Sequence, residues 1–166
     1  STEITIKAIE NSKINKNVKP IVVSNSKLIE DCKKIIKSNI LLNEIKDKVN
    51  FSDFKENYLN IISLPIQEST VLGKENIKYS SFIKNSIITC VKTEISSIAS
   101  AIVTNPINKK MMYRSGFNFR GHTDFLASLS QNKKIPVMMM VTKEFKTIPM
   151  TIHVPLKDVP KLISKD

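Results

Sequence analysis

Apolar positions along the chain alternate between two rhythms, short β-branched runs and longer stretches at helical spacing. Residues 3–10 carry Ile4, Ala8 and Ile9 on one face with Ile6 off the stripe, which predicts a short helix. Pro20-Ile-Val-Val-Ser24 predicts a buried strand. Leu28, Ile29, Cys32, Ile35 and Ile36 then fall at i, i+1, i+4, i+7 and i+8, an amphipathic helix with Ser26 as the expected cap. Residues 40–58 show no clear period and read as including loop. Leu59–Leu64 predicts a strand ended at Pro65. Tyr79, Phe82, Ile83, Ile87, Cys90 and Val91 predict one stripe of a helix over 76–91.

The second half of the chain repeats the alternation. Ala99–Thr104 reads as a strand of small and β-branched residues. Asn105-Pro106 reads as a cap with proline at the first helical position, opening a helix that runs through Lys109 to about Tyr113 and stops at Gly116. A short helix follows from His122 or Thr123 through Leu129. Pro136–Val141 and Phe145–His153 predict an antiparallel pair joined by a three-residue turn, and 156–164 a terminal helix start. Strand–helix alternation implies right-handed crossovers and a mainly parallel sheet, which the final hairpin would make mixed. The expected class is α/β, one region over 1–166.

Composition narrows the possibilities. The 166 residues are 41% hydrophobic with a mean hydropathy of −0.11, which supplies a core and excludes intrinsic disorder. The longest apolar run, Ile135–Val141, falls far short of the roughly 20 residues of a membrane span. No basic-then-apolar leader opens the sequence, so no retained signal peptide is expected. The first residue is Ser1 and Glu3 already lies in a predicted helix, so a trimmed chain is expected. Two cysteines, both on apolar stripes, suit a reducing, cytoplasmic interior and a packing role. Three glycines stand where average usage predicts about a dozen. Neither a dinucleotide fingerprint nor a P-loop can be assembled from them.

The net charge of +11 raises nucleic acid as a partner. Only Arg114 and Arg120 are arginine, however, aromatics are 6% and tryptophan is absent. Base-reading and stacking surfaces favour arginine with interleaved aromatics, so the distribution favours a solvated lysine-rich surface.

Three segments fall at the predicted carboxyl ends of strands or at helix starts, where α/β proteins collect ligands. They are Thr104–Lys109, Arg120–Asp124 and Thr151–Pro155, and the last two contain both histidines of the chain. His122 and Thr123 would add an imidazole and a hydroxyl to the free N–H groups of a helix start, a setting for phosphate or carboxylate. Spacing alone leans slightly the other way, with Thr123 as a helix cap and His122 as an exposed loop residue. His153 is open to three roles: metal ligand, general base or structural histidine. With no partner cluster nearby in sequence, the last is favoured for it alone. Lys109 is a further anion candidate among many lysines.

The order of these segments carries a resemblance. Ala101-Ile-Val-Thr-Asn-Pro-Ile-Asn-Lys109, Gly116, Phe119-Arg-Gly-His-Thr-Asp-Phe-Leu126, Val137-Met-Met-Met140 and Thr151-Ile-His-Val-Pro-Leu156 together resemble the 4-hydroxythreonine-4-phosphate dehydrogenase family of vitamin B6 biosynthesis. Glu3-Ile-Thr-Ile-Lys-Ala8 is similar to the end of that family's N-terminal motif. The match is specific from residue 99 to 156 and thin between 25 and 75.

The resemblance implies an isocitrate/isopropylmalate dehydrogenase-like α/β/α fold, here truncated at both ends. It implies NAD-dependent oxidation of 4-phosphooxy-L-threonine followed by decarboxylation to 3-amino-2-oxopropyl phosphate. A divalent metal (Zn, Mg or Co) would assist by acidifying the alcohol and stabilising the enolate. His122 and Thr123 match the substrate-contacting pair, and His153 matches one of three metal histidines. A homodimer is expected of the complete enzyme, and its NAD site does not require a Rossmann glycine fingerprint. With two histidines, one such chain does not form a three-histidine site, so the expectation is a fragment of the enzyme's N-terminal half that is inactive alone. The alternatives are a catalytically dead phosphate-binding or interaction module and, third, a basic nucleic-acid-binding domain.

Overall fold

The computed structural model describes residues 1–11, 18–46, 49–66, 71–92, 97–130 and 135–164. Its contacts group into two compact units, Ser1–Ser130 and Gln131–Asp166.

The first unit is built on three parallel strands, β1 (Ile21–Ser24), β2 (Leu41–Glu44) and β3 (Tyr58–Ser63), in the order β1-β3-β2. Because β3 is central it is buried along its length, and Leu59 and Ile61 are fully enclosed. Helices α1 (Thr2–Asn11) and α2 (Ser26–Ile36) pack together, and their side chains form one cluster with the sheet, in which Ile6, Ile29, Cys32, Ile40, Leu59 and Ile61 meet. Ile45, Val49 and Ile62 form a second cluster with Ile21, Val23 and Phe54. Alternate residues of β1 and β3 enter different clusters, as the two-residue period of a strand buried on both faces demands.

Polar groups set the register. Asn43 and Asn60 sit opposite one another on β2 and β3, both buried. Asn60 Oδ1 accepts from Asn43 Nδ2 at 2.8 Å and from the Lys55 N–H at 3.0 Å, and Asn43 Nδ2 also donates to the Asp53 carbonyl at 2.7 Å. A one-residue slip would strand these groups without partners in the core.

Several expectations are corrected. The buried residue of α1 is Ile6, with Ile9 and Thr5 beside its stripe, while Ile4 and Ala8 are exposed; threonines complete the inward face. The cap of α2 is Asn25, whose side chain accepts from the Leu28 N–H at 3.0 Å and donates to the Leu64 carbonyl at 2.8 Å. The neighbouring Ser26 leaves its hydroxyl buried with no partner among the described residues. Residues 40–58 contain a strand, β2, legible as such only through its pairing. Cys32 is buried as expected, whereas Cys90 on α3 (Tyr79–Val91) is half-buried.

The run 99–104 is not a strand, and Val103 is 95% exposed. β-Branched residues form a strand only where another strand offers its N–H and C=O groups, and no described strand pairs with this run. The helix expected from Asn105-Pro106 begins later, as α4 (Lys109–Arg114), capped by Asn108. Asn105 instead donates to Thr5 Oγ1 at 2.8 Å, holding the loop against α1. Gly116 ends α4 as expected, with φ of +83°. The Phe117 N–H bonds to the Met112 carbonyl and the Gly116 N–H to the Tyr113 carbonyl, a Schellman closure. α5 follows at His122–Leu129.

In the second unit, β4 (Met140–Val141) and β5 (Lys146–Thr147) form a short antiparallel pair. The two strands expected over 136–141 and 145–153 are thus mostly extended chain without ladder partners, and the described strands form two sheets instead of one mixed sheet. A 3-10 turn at Leu156–Asp158 leads into α6 (Val159–Leu162). Among the described residues no helix is long and apolar enough to cross a membrane.

Replacing Leu59 by alanine removes a side chain with no solvent exposure from the central strand. The expected cost is about 2–5 kcal/mol, read from urea unfolding, against about 0.5 kcal/mol or less for Leu41→Ala on the exposed side of β2.

Candidate functional site

The site in the first unit is positioned by a small apolar cluster. Met112 of α4, Phe117 after it, Phe125 of α5 and Ile87 of α3 are buried together. The rings of Phe117, Phe119 and Phe125 lie 5.0–5.1 Å apart in edge and tilted contacts. Such pairs contribute about 0.5–1.5 kcal/mol each beyond their burial. They bring the start of α5 alongside α4.

At that start, Gly121 occupies the cap position and no side chain caps the helix. Thr123 is therefore not the cap. It is the second residue of α5 and exposed, while His122 is the first and half-buried, so it is not an exposed loop residue. The opening N–H groups of a helix have no intrahelical partner and carry its positive dipole end. The turn itself is tied down twice: Tyr113 donates its hydroxyl to the Arg120 carbonyl at 3.3 Å, and the Arg120 N–H donates to Asp124 Oδ2 at 3.3 Å.

The structure also brings Lys109 here. Its Cε and Nζ lie 3.9 Å from where a Cβ on Gly121 would stand. Burial, and then the Lys109 charge, hold the His122 imidazole below its ordinary value of 6.5. The ring is accordingly neutral near pH 7, with one nitrogen to donate and one to accept. An uncapped helix start, a neutral imidazole, a hydroxyl and an ammonium make a set suited to an anionic group beside a hydroxyl. Lys109 drew little weight in the sequence because 26 residues are lysine or arginine. Its i, i+4 spacing to Tyr113 on one face of α4 is the signal that singles it out.

His153 lies in the second unit, exposed, with φ of +58°. It is not at a strand end as expected, because β5 stops at Thr147. Histidine is among the non-glycine residues that adopt this left-handed conformation more readily. Among the described residues no three His, Cys, Asp or Glu side chains gather as a metal site.

Comparison with known proteins places the chain. Residues 16–166 match the family model of the pyridoxal phosphate biosynthetic protein PdxA. The chain belongs to the PdxA family. A 4-hydroxythreonine-4-phosphate dehydrogenase from Sulfurihydrogenibium sp. is 31% identical over 169 residues, covering 100% of this chain and 50% of that protein. One from Methylorubrum extorquens is 43% identical over 88 residues, 51% of this chain and 25% of that one. A solved dehydrogenase of the same name from Burkholderia phymatum superposes with a TM-score of 0.80 at 21% identity, over 96% of this chain and 48% of that chain. The corresponding structure from Klebsiella pneumoniae gives 0.74 at 21% identity, over 96% and 49%. At that identity the likeness speaks for the fold, which is α/β with a parallel sheet flanked by helices. The chain spans about half the length of the Sulfurihydrogenibium relative.

The depressed His122 value has a consequence for this PdxA chain's stability. A histidine that protonates less readily folded than unfolded makes the unfolded state the better proton binder, so stability falls as pH drops through 6.5. Urea midpoints followed from about pH 8 to about pH 5 should fall less steeply on the acid side in His122→Gln than in the parent.

Proposed function

We propose that this chain supplies the substrate-contacting part of a 4-hydroxythreonine-4-phosphate dehydrogenase acting in pyridoxal 5′-phosphate biosynthesis. The observation that carries the reading is the His122-Thr123 pair at the uncapped start of α5 in a chain of the PdxA family. On this reading the substrate is 4-phosphooxy-L-threonine, an anionic molecule with a secondary hydroxyl. The α5 N–H groups and Thr123 Oγ1 hold an anionic group, and the neutral His122 ring hydrogen-bonds a hydroxyl, which it can do as donor or acceptor.

The resemblance names NAD as the hydride acceptor and a divalent metal as the Lewis acid that aids oxidation and decarboxylation. The described residues of this chain do not complete such a metal site. The sequence holds two histidines, His122 and His153, and among the described residues no three-ligand cluster forms. His153 is proposed as one ligand of a centre whose other ligands come from further polypeptide, and the working enzyme as a homodimer in the cytoplasm.

Binding and turnover separate under this proposal. Calorimetry with 4-phosphooxy-L-threonine should show binding to the 166-residue chain that weakens about tenfold in His122→Ala, the loss of roughly 1.4 kcal/mol expected for a hydrogen bond to the ligand's hydroxyl. No binding to the parent would end the reading. NADH absorbance with substrate, NAD and added zinc or cobalt should show no turnover by this chain alone, and robust turnover would overturn its role as a partial site. Binding that needs no metal, with no turnover under any supplementation by the rest of a PdxA enzyme, would favour a phosphate-binding module.

A further inference from the structure

The first turn of α4 addresses the start of α5 in a way that the substrate-contacting pair does not explain. Lys109 and Tyr113, one turn apart on the same face of α4, both reach the Arg120-Gly121 turn. Tyr113 fixes the Arg120 carbonyl, and the end of Lys109 lies against Gly121, the residue immediately before His122. A Cβ at position 121 would stand in ordinary contact with Lys109 Cε and Nζ, at 3.9 Å, which places the ammonium beside the start of α5. The helix that presents it is anchored at its own start, where the Asn108 side chain accepts from the Met111 N–H at 3.0 Å and donates to Glu75. Among the described residues Lys109 takes part in no ion pair.

We propose that Lys109 is a positioning residue of this site, acting through His122: its ammonium, beside Gly121, adds to burial in opposing a positive charge on the neighbouring imidazole, which serves the substrate as an uncharged donor–acceptor. The proposal rests on the reading of His122 as a substrate contact. A protonated ring would offer two donors and no acceptor, and would lose the means to receive a hydroxyl proton in a hydrogen bond. A neutral ring beside an ammonium offers an anionic hydroxy compound both complements at once.

The other titratable and charged side chains around His122 are few. α3, which packs on α5, carries Tyr79, Lys84 and Cys90. α4 adds Lys110, Tyr113 and Arg114, the turn adds Arg120, and α5 itself adds Asp124, whose carboxylate accepts from the Arg120 N–H. Burial first, and then the Lys109 charge, lower the ring's affinity for a proton.

The test is an NMR titration of the imidazole signals, made simple because the chain has two histidines and His153→Gln leaves His122 alone. Lys109→Met should move the His122 midpoint upward, and Lys109→Arg, which keeps the charge, should leave it near the parent value. Added sodium chloride should raise the midpoint more in the unsubstituted chain than in Lys109→Met, because screening of the other lysines and arginines acts in both. An unchanged midpoint in folded Lys109→Met, or the same response to salt in both chains, would overturn the proposal. No substrate is present in this titration. Coupling without binding of 4-phosphooxy-L-threonine would therefore count against the dehydrogenase reading alone, and binding without coupling against the role of Lys109 alone.

Discussion

The site depends on the packing of Met112, Phe117 and Phe125. The Gly116 turn, at a φ of +83°, reverses the chain tightly enough for Phe117 to fold back on Met112, its Schellman partner. Phe117 then meets Phe125 edge-on across 5.1 Å. A side chain at 116 would have to adopt a left-handed conformation that L-residues resist, so one glycine and three apolar side chains determine where α4 and α5 begin relative to each other. Everything polar about the site follows from that placement. The Tyr113 and Asp124 hydrogen bonds then fix the Arg120-Gly121 turn between Lys109 and His122.

The same division of labour runs through the sheet. Apolar burial around Ile6, Leu59 and Ile61 supplies the driving force, while the Asn43–Asn60 pair selects one alignment of β2 and β3 among those that burial alone would permit. A buried amide pair of this kind is costly when misplaced and nearly neutral when satisfied, which makes it a register device more than a source of stability. In the second unit the balance is different. Ile135, Val137, Phe145, Met150 and Leu156 are exposed, and the described strands there form only a two-residue ladder.

The PdxA motifs were legible because they are compound. The order of Asn105-Pro106, Gly116, His122-Thr123 and His153 points to one family in a way that none of these pairs does alone. Helices were legible where apolar spacing was regular, as in α2, α3 and α5. Capping was less so. Ser26 and Asn105 both look like caps, yet Asn25 and Asn108 do the capping, because the choice is made by which carbonyl or hydroxyl waits nearby: Leu64 for Asn25, Thr5 for Asn105. A one-dimensional pattern holds no record of those partners.

Periodicity, composition and motif order thus determined from sequence the α/β class, the α2, α3 and α5 helices, the β1 and β3 strands and the family. Tertiary structure alone decided that 99–104 remains outside any sheet, that Ile6 and not Ile4 is buried, and that Lys109 is the lysine beside His122. Strand formation needs a partner edge, burial needs an opposing face, and a charge acts on a ring only through distance. Each is a relation between residues far apart in the chain, and only the folded molecule sets it.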